Sequence, residues 1–375
     1  MVFTFVHTAD WQIGKTFARF APDVSVQLRA ARLDAIDRIA AEAGRAGARH
    51  VLVAGDVMDS EHLDDAALLQ PLARMSAYAD VAWHLLPGNH DPARAGGVWA
   101  RLASLGLPAN VRAHVRAEIC EIATGVALLP APLHVKEMRT DPTAWMDQAE
   151  SADGMLRIGM AHGSVRGFDS LGEAAVPIEP GRLARAGLDY LALGDWHGTK
   201  QIAPGVWYSG TPEPDRFVDN EAGHALVVRI AGRGAPPEVT QVSTGQCRWM
   251  SRRASLTRIA DLEPVEAEIA AAGGARRHIV LALALEGTLP VVDAVTLDAR
   301  RERLASMGLA ADLDLRRLRI VASDDDLAAL DDPVLAAAAA RLRDRVTTGD
   351  ERSARIVAQA MRLLLNFDRA SREVR

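Results

Sequence analysis

The residues with the most chemical potential stand at the ends of apolar runs. Leu85–Leu86–Pro87–Gly88 delivers the chain to Asn89, His90 and Asp91, three successive side chains able to bind metal or move protons. Val2–Val6 leads in the same way to Asp10 and Gln12, and His50–Ala54 leads to Gly55 and Asp56. Further along, Arg157–Ala161 ends at His162, and Leu188–Leu193 ends at Asp195 and His197. Alone, Asn-His-Asp also reads as a loop whose side chains cap their own backbone. Its recurrence with other strand ends points to a site, because open α/β sheets bind ligands beyond the carboxyl ends of their strands.

Oxygen and imidazole donors without thiolates suit Mn²⁺, Fe or Zn and argue against a cysteine-held structural zinc. The donors suffice for two ions if one carboxylate bridges, and two ions about 3.5–4 Å apart clamp a phosphoryl group and sharpen a water nucleophile. Asp10-x-Gln12 and Asp195-x-His197 put alternating side chains on one side of an extended segment, so each pair reaches a single site.

The elements that must carry these residues follow from periodicity. Ser25 to about Ala46 has Leu28, Leu33, Ile36 and Ile39 at helical spacing and Gly47 as a stop. A second helix is predicted over Asp64–Ala77 and a third strand over Val81–Leu86. Strand alternating with helix implies parallel pairing with helices on the faces. Val111–Val115, Glu118–Ile122 and Val126–Pro130 read as shorter β segments where a second sheet begins, and Val206–Ser209 and Ala225–Ile230 finish the sheets. A helix is predicted over Asp141–Ala149.

From Gly245 the pattern changes to a small α/β unit, with helices over Val265–Ala272 and Ala294–Met307 and strands over Ile279–Leu285 and Leu315–Val321. Asp324-Asp325-Asp326 marks its end. Asp332-Pro333 then opens an Ala- and Arg-rich helical tail, in which Arg341–Arg375 holds nine Arg against five acidic residues. Leu342, Val346, Ile356, Val357, Met361, Leu364 and Leu365 form an apolar stripe there, either packed on the chain itself or offered to a partner. The division is 1–244, 245–325 and 326–375.

With 49% apolar and 25% charged residues among 375, the chain has the composition of a globular protein with a sizeable core. The two cysteines, Cys120 and Cys247, have no pairing or metal spacing, which fits a reducing, cytoplasmic location. Met1–Val6 lacks the basic start and cleavage site of a signal peptide. No apolar stretch reaches the ~18 residues of a membrane span, so no membrane partner is expected. A net charge of −6 does not announce a nucleic-acid binder, although a local basic stripe suffices for one.

The order of motifs resembles the calcineurin-like metallophosphoesterases, with D-x-H, G-D-x-x-D, G-N-H-D/E, a lone H and G-H-x-H, over residues 2 to 230. More narrowly, His7-Thr8-Ala9-Asp10-Trp11-Gln12-Ile13-Gly14, Val53–Asp59 and Tyr208-Ser209-Gly210-Thr211-Pro212-Glu213 are similar to the SbcD/Mre-type DNA repair nucleases. The resemblance implies an α/β fold, a metallophosphoesterase-type β-sandwich flanked by helices, with a small C-terminal α/β capping domain and a helical tail. It implies two divalent ions, Mn²⁺ foremost with Mg²⁺ or Fe as alternatives. Asp10, Gln12 and His197 would hold the first and Asn89, His162 and Asp195 the second, with Asp56 bridging. His90 would protonate the leaving oxygen or stabilise the transition state, and Asp91 would orient His90.

Two positions depart from the pattern. Gln12 stands where the family has His, and its neutral carbonyl is a weaker donor. Asp195 stands where G-H-x-H has its first His and adds a hard, charged oxygen. The activity implied is metal-dependent hydrolysis of phosphodiesters at DNA ends, with an SbcC-like coiled-coil ATPase as partner and a homodimer as assembly. The alternatives are a small-molecule phosphodiesterase or phosphatase of the same fold, or a non-catalytic adaptor whose site has drifted. His7, His50, His84 and His114 read as ordinary, and Trp11 and Trp196 as packing residues.

Overall fold

A computed structural model describes residues 2–168, 175–272, 278–321, 326, 330, 332–344 and 351–373. Asp324, Asp325 and Val346 lie outside the described residues. The chain divides into two compact units, Met1–Asp215 with Asp219–Cys247, and Arg216–Val218 with Arg248–Arg375.

The first unit is built on two six-stranded mixed sheets. In the first sheet the strands Phe3–Thr8, His50–Val53, Ala82–Leu85 and Val111–Ala113 run parallel in that order. His224–Ile230 and Glu238–Ser243 extend it antiparallel beyond Phe3–Thr8. In the second sheet Val126–Ala131, Leu156–His162, Tyr190–Gly194 and Val206–Tyr208 run parallel, with Cys120–Ala123 and Lys200–Ala203 antiparallel at the edges.

Strand alternation decides what each face meets. Phe5, Leu52 and Val228 of the first sheet pack against Leu128, Ile158, Met160 and Tyr190 of the second, all fully buried. The opposite face of the first sheet, with Val6, Val51, Val53, Trp83 and Leu85, is covered by helices Pro22–Ala46, Asp65–Ser76 and Val98–Leu105. Each such fully buried aliphatic or aromatic side chain contributes about 1.5–3 kcal/mol. The long helix begins with Pro22 at its first position and ends where Gly47, at φ +65°, turns left-handed and returns its N–H to Ala43 and Gly44.

The helix expected over Asp141–Ala149 is only a 3₁₀ turn, Ala144–Asp147. Asp141 explains the shortening. One oxygen accepts from the backbone N–H of Thr143, and the other from the N–H of Glu179 and from Arg182. Its carboxylate is thus committed to a turn and to distant chain, not to a helix start.

His7 joins the two sheets. Tyr190 O–H donates to its Nδ1 at 3.0 Å and its Nε2–H donates to the Leu193 carbonyl at 3.2 Å. With both ring nitrogens used, it has no lone pair for a ligand.

The second unit contains a three-stranded parallel sheet, Arg248–Leu256, Ile279–Pro290 and Ala310–Val321, with helices Glu263–Ala271 and Val291–Ser306 in the connections. The third strand starts five residues earlier than its apolar run at Leu315, because Asp312 and Asp314 disguise its beginning. Val357, Met361 and Leu365 of helix Glu351–Glu373 pack with Val291, Leu330 and Ala339. Among the described residues no helix is long and apolar enough to cross a membrane.

Candidate metal centre

The segments that follow the parallel strands make the site by pairing with one another. Asp10 N–H donates to the Gly55 carbonyl, Gln12 N–H to that of Asp56, Ile13 N–H to that of Val57, and Asp59 N–H back to that of Ile13, all at 2.9–3.0 Å. This zipper holds Asp10, Gln12 and Asp56 at φ of +55°, +44° and +52°. Left-handed backbone at non-glycine residues costs of order 1–3 kcal/mol each and persists where the surroundings over-determine it. Asp195 adds a fourth, at φ +104°.

Two glycines give the site its room. At Gly55, φ +92°, a Cβ would collide with the His162 ring, and at Gly88 it would collide with the Asp56 carboxylate.

Asp10, Asp56 and His162 are buried and offer donor atoms that all lie within 4.8 Å of one another. The His162 Nδ1–H donates to the Ala54 carbonyl at 2.9 Å, which leaves Nε2 facing inward. Around that Nε2 stand Asn89 Oδ1 at 3.3 Å, Asp56 Oδ1 at 3.4 Å and Asp195 Oδ1 at 3.8 Å. Ser164 Oγ donates to the other Asp195 oxygen at 2.7 Å, and the Asp195 N–H donates to both oxygens of Asp10 at 3.2 and 3.3 Å.

These residues fit a divalent cation. With His162 neutral, four lone-pair atoms converge with no hydrogen between them, at spacings suited to donors that share one ion with bonds of about 2.0–2.2 Å. The electrostatics agree. Burial, and then the charges of Asp56 and Asp195, push the Asp10 carboxyl up to about 6, against the pull of His197 and His162. Burial would depress His162, but Asp56, Asp10 and Asp195 outweigh it and raise the ring to about 9. The pocket therefore holds more negative charge than its own groups balance, and it takes a proton where a cation would serve.

His197 and Gln12 form a second group with Asp215 and Lys15. The His197 Nδ1–H donates to Asp215 at 3.2 Å, and the Gln12 side-chain N–H donates to His197 Nε2 at 3.2 Å. The Gln12 carbonyl oxygen accepts from Lys15 Nζ at 2.8 Å.

His90 is exposed, with its Nε2 3.9 Å from Asp56 Oδ2. Its Nδ1–H donates to the backbone carbonyl of Asp59 at 3.0 Å, and its backbone N–H donates to Asp56 Oδ1 at 2.9 Å. The expectation that Asp91 orients this ring does not match the geometry. Both Asp91 oxygens accept backbone N–H groups, from Gly88 at 2.7 Å and Met58 at 2.9 Å. Asp91 is fully buried, and burial followed by the charge of Asp56 holds its carboxyl well above the usual range. It fastens the turn that presents Asn89 and His90 to the loop that presents Asp56.

Arg32, Arg38 and Lys15 carried no motif, and Glu213 carried one without a stated role. Arg32, buried on the first helix, donates to the carbonyls of Trp11, Asp10 and Glu213 and to the Thr211 hydroxyl. Glu213 accepts from Arg38 and from the backbone N–H groups of Gln246 and Cys247. The signal for Lys15 was its place three residues after Gln12, on the same segment. Phe217 packs edge-on against Trp249 at 4.9 Å within the second unit.

Two facing mixed sheets with helices outside, and a buried cluster of carboxylates and imidazole at their strand ends, define a metallophosphoesterase. The sequence profile of the calcineurin-like phosphoesterases matches residues 3–219, more than half of the chain, and the chain belongs to that family. Among curated proteins none matches the chain.

Proposed function

We propose that the protein hydrolyses phosphodiester bonds at DNA ends with a divalent cation, Mn²⁺ in the first instance, held by Asp56, Asn89, His162 and Asp195. The observation that carries the hydrolase part is the convergence of those four donors beside the Nε2 of an exposed His90. Bound there, the cation would polarise the phosphoryl group as a Lewis acid.

The chain's own residues supply the rest. Asp59 holds the His90 ring by Nδ1–H, so in the imidazolium form Nε2–H is the proton donor, on the side of the ring that faces Asp56. Water adds to phosphorus and releases a proton to solvent, the bond to the ester oxygen breaks, that oxygen takes the Nε2 proton, and the imidazole regains a proton from solvent. Asp10 holds the Asp195 backbone in place.

DNA as substrate is supported by the likeness of the His7–Gly14 and Tyr208–Glu213 segments to SbcD/Mre-type nucleases. A cavity of about 590 Å³, lined by Lys15, Arg29 and His62 together with Asp64 and apolar side chains such as Leu33 and Leu63, offers cationic groups to a phosphate. An SbcC-like coiled-coil ATPase as partner is supported by Ile356, Leu363 and Phe367. They are 59–66% exposed and lie on one face of helix Glu351–Glu373 at helical spacing.

The test is incubation of the full chain with Mn²⁺ and end-labelled duplex DNA. End-proximal shortening is expected. Hydrolysis of a nitrophenyl phosphodiester with DNA left intact would move the reading to a small-molecule phosphodiesterase, and inertness toward both would leave the adaptor.

A further inference from the structure

We infer that the ammonium of Lys15 takes the place of one of the two cations, so that the centre binds a single divalent ion. The inference rests on the hydrolase reading above and concerns how its site is charged.

The arrangement around Gln12 allows one assignment of its amide. Lys15 Nζ has only hydrogens to give, so the atom it meets at 2.8 Å is the amide oxygen. The amide nitrogen then faces His197 Nε2 at 3.2 Å. That nitrogen can accept, because the proton of the ring sits on Nδ1 and goes to Asp215. Each contact requires the next, and together they occupy the Gln12 oxygen and the His197 lone pair, the two donors that a second ion would need beside Asp10.

Positive charge is already present there. Lys15 Nζ lies 2.8 Å from Asp215 Oδ2 and 3.8 Å from Asp59 Oδ1, and the Asp215 side chain is almost wholly buried. Lys15 thus bridges Gln12 and Asp215, which sit on either side of His197. The opposite donors behave differently. Asn89, Asp56 and Asp195 turn oxygens toward His162 Nε2, and among the described residues no Lys or Arg side chain pairs with them, so the charge they gather falls on an imidazole that can give up its proton to an ion. One end of the site is closed by an internal ammonium and the other is open to an ion.

The fixed ammonium has a chemical consequence. A point charge with three donors can hold a non-bridging phosphoryl oxygen, but it cannot lower the pKa of water as a divalent ion does. Lys15 would act as an electrostatic clamp on the scissile or neighbouring phosphate, and the single ion would carry the Lewis acidity.

The experiment counts ions in the full chain. Equilibrium dialysis with Mn²⁺ should give one ion per chain, and electron paramagnetic resonance should give an isolated-ion spectrum. The Gln12→His/Lys15→Met variant should rise to two ions with exchange coupling, as ions about 3.5–4 Å apart show. Should that variant fold poorly, Lys15→Met alone frees the Gln12 oxygen and should add a second, weaker Mn²⁺. Two coupled ions in the unaltered chain would overturn the inference and leave the hydrolase reading standing. Absence of any bound ion would overturn both. A folded double variant that still binds one ion would overturn the role given to Lys15.

Discussion

The imidazole of His90 is oriented by the backbone carbonyl of Asp59, 3.0 Å from Nδ1, and not by a carboxylate. A carbonyl accepts from Nδ1–H and so fixes the ring with Nε2 on its far side. The His90→Asn variant should lose about 10²–10⁴-fold in kcat, the usual range for one general acid. Its Mn²⁺ content should be unchanged, because no donor of the ion set is removed. Full activity in this variant would remove His90 from the chemistry.

Asp91 should behave as a fastener. Asp91→Ala leaves the buried N–H groups of Gly88 and Met58 without an acceptor, at about 1–3 kcal/mol for each group stranded. Denaturant midpoints should fall accordingly, and activity should fall with them. Asp91→Asn keeps one acceptor oxygen and should recover part of the loss. Equal stability of Asp91→Ala and the unaltered chain would contradict the role assigned.

Addition of Mn²⁺ should raise the melting temperature and chelation should lower it. A ligand that binds only the folded state at a hundred times its Kd adds about 2.7 kcal/mol. His162→Gln and Asp56→Asn should abolish the Mn²⁺-dependent increment, because each removes a donor from the cluster. Identical melting with and without ion in the unaltered chain would argue against the site.

Acid should draw on a set of buried neutral imidazoles in the first unit. His50, His84 and His114 form a stacked chain, with ring nitrogens 3.1 and 3.0 Å apart. Burial, with Arg112 adding to it, lowers His114 to about 4, and burial lowers His7 to about 3. Between the ordinary value of 6.5 and those values the unfolded chain binds more protons than the folded one. The contribution of these rings is therefore fully present above pH 6.5 and falls as the pH drops, by about 1.4 kcal/mol per pH unit for each ring held neutral. Denaturant unfolding at stepped pH should show this slope, and His114→Gln should flatten it. An unchanged slope in that variant would sink the assignment.

Asp10, Asp56, Asn89, His162 and Asp195 were legible because a strand end is legible: each ends an apolar run that burial on both faces enforces. The two-sheet class followed from the same runs. The charge relations were not legible. Lys15 and Asp215 are 200 positions apart in the chain and meet only once both sheets are formed. The histidine chain depends on parallel register, which pairs Leu52 with His84 and so brings His50 and His84 within reach. The direction of Asp91 was not legible, because adjacency to His90 suggests contact while the turn gives Asp91 to Gly88 and Met58 and His90 to Asp59.

The four donors around the His162 Nε2 position divide two and two between the sheets: Asp56 and Asn89 follow strands of the first, and His162 and Asp195 belong to the second. A cation shared by them is a rivet through the rim of the sandwich. Loss of the ion frees that edge to part while the apolar interior still holds the remainder together. Amide exchange at Gly55, Gly163 and Asp195 would register this opening before any change in global stability. A chelator would then act on this molecule as a mechanical agent as well as an inhibitor.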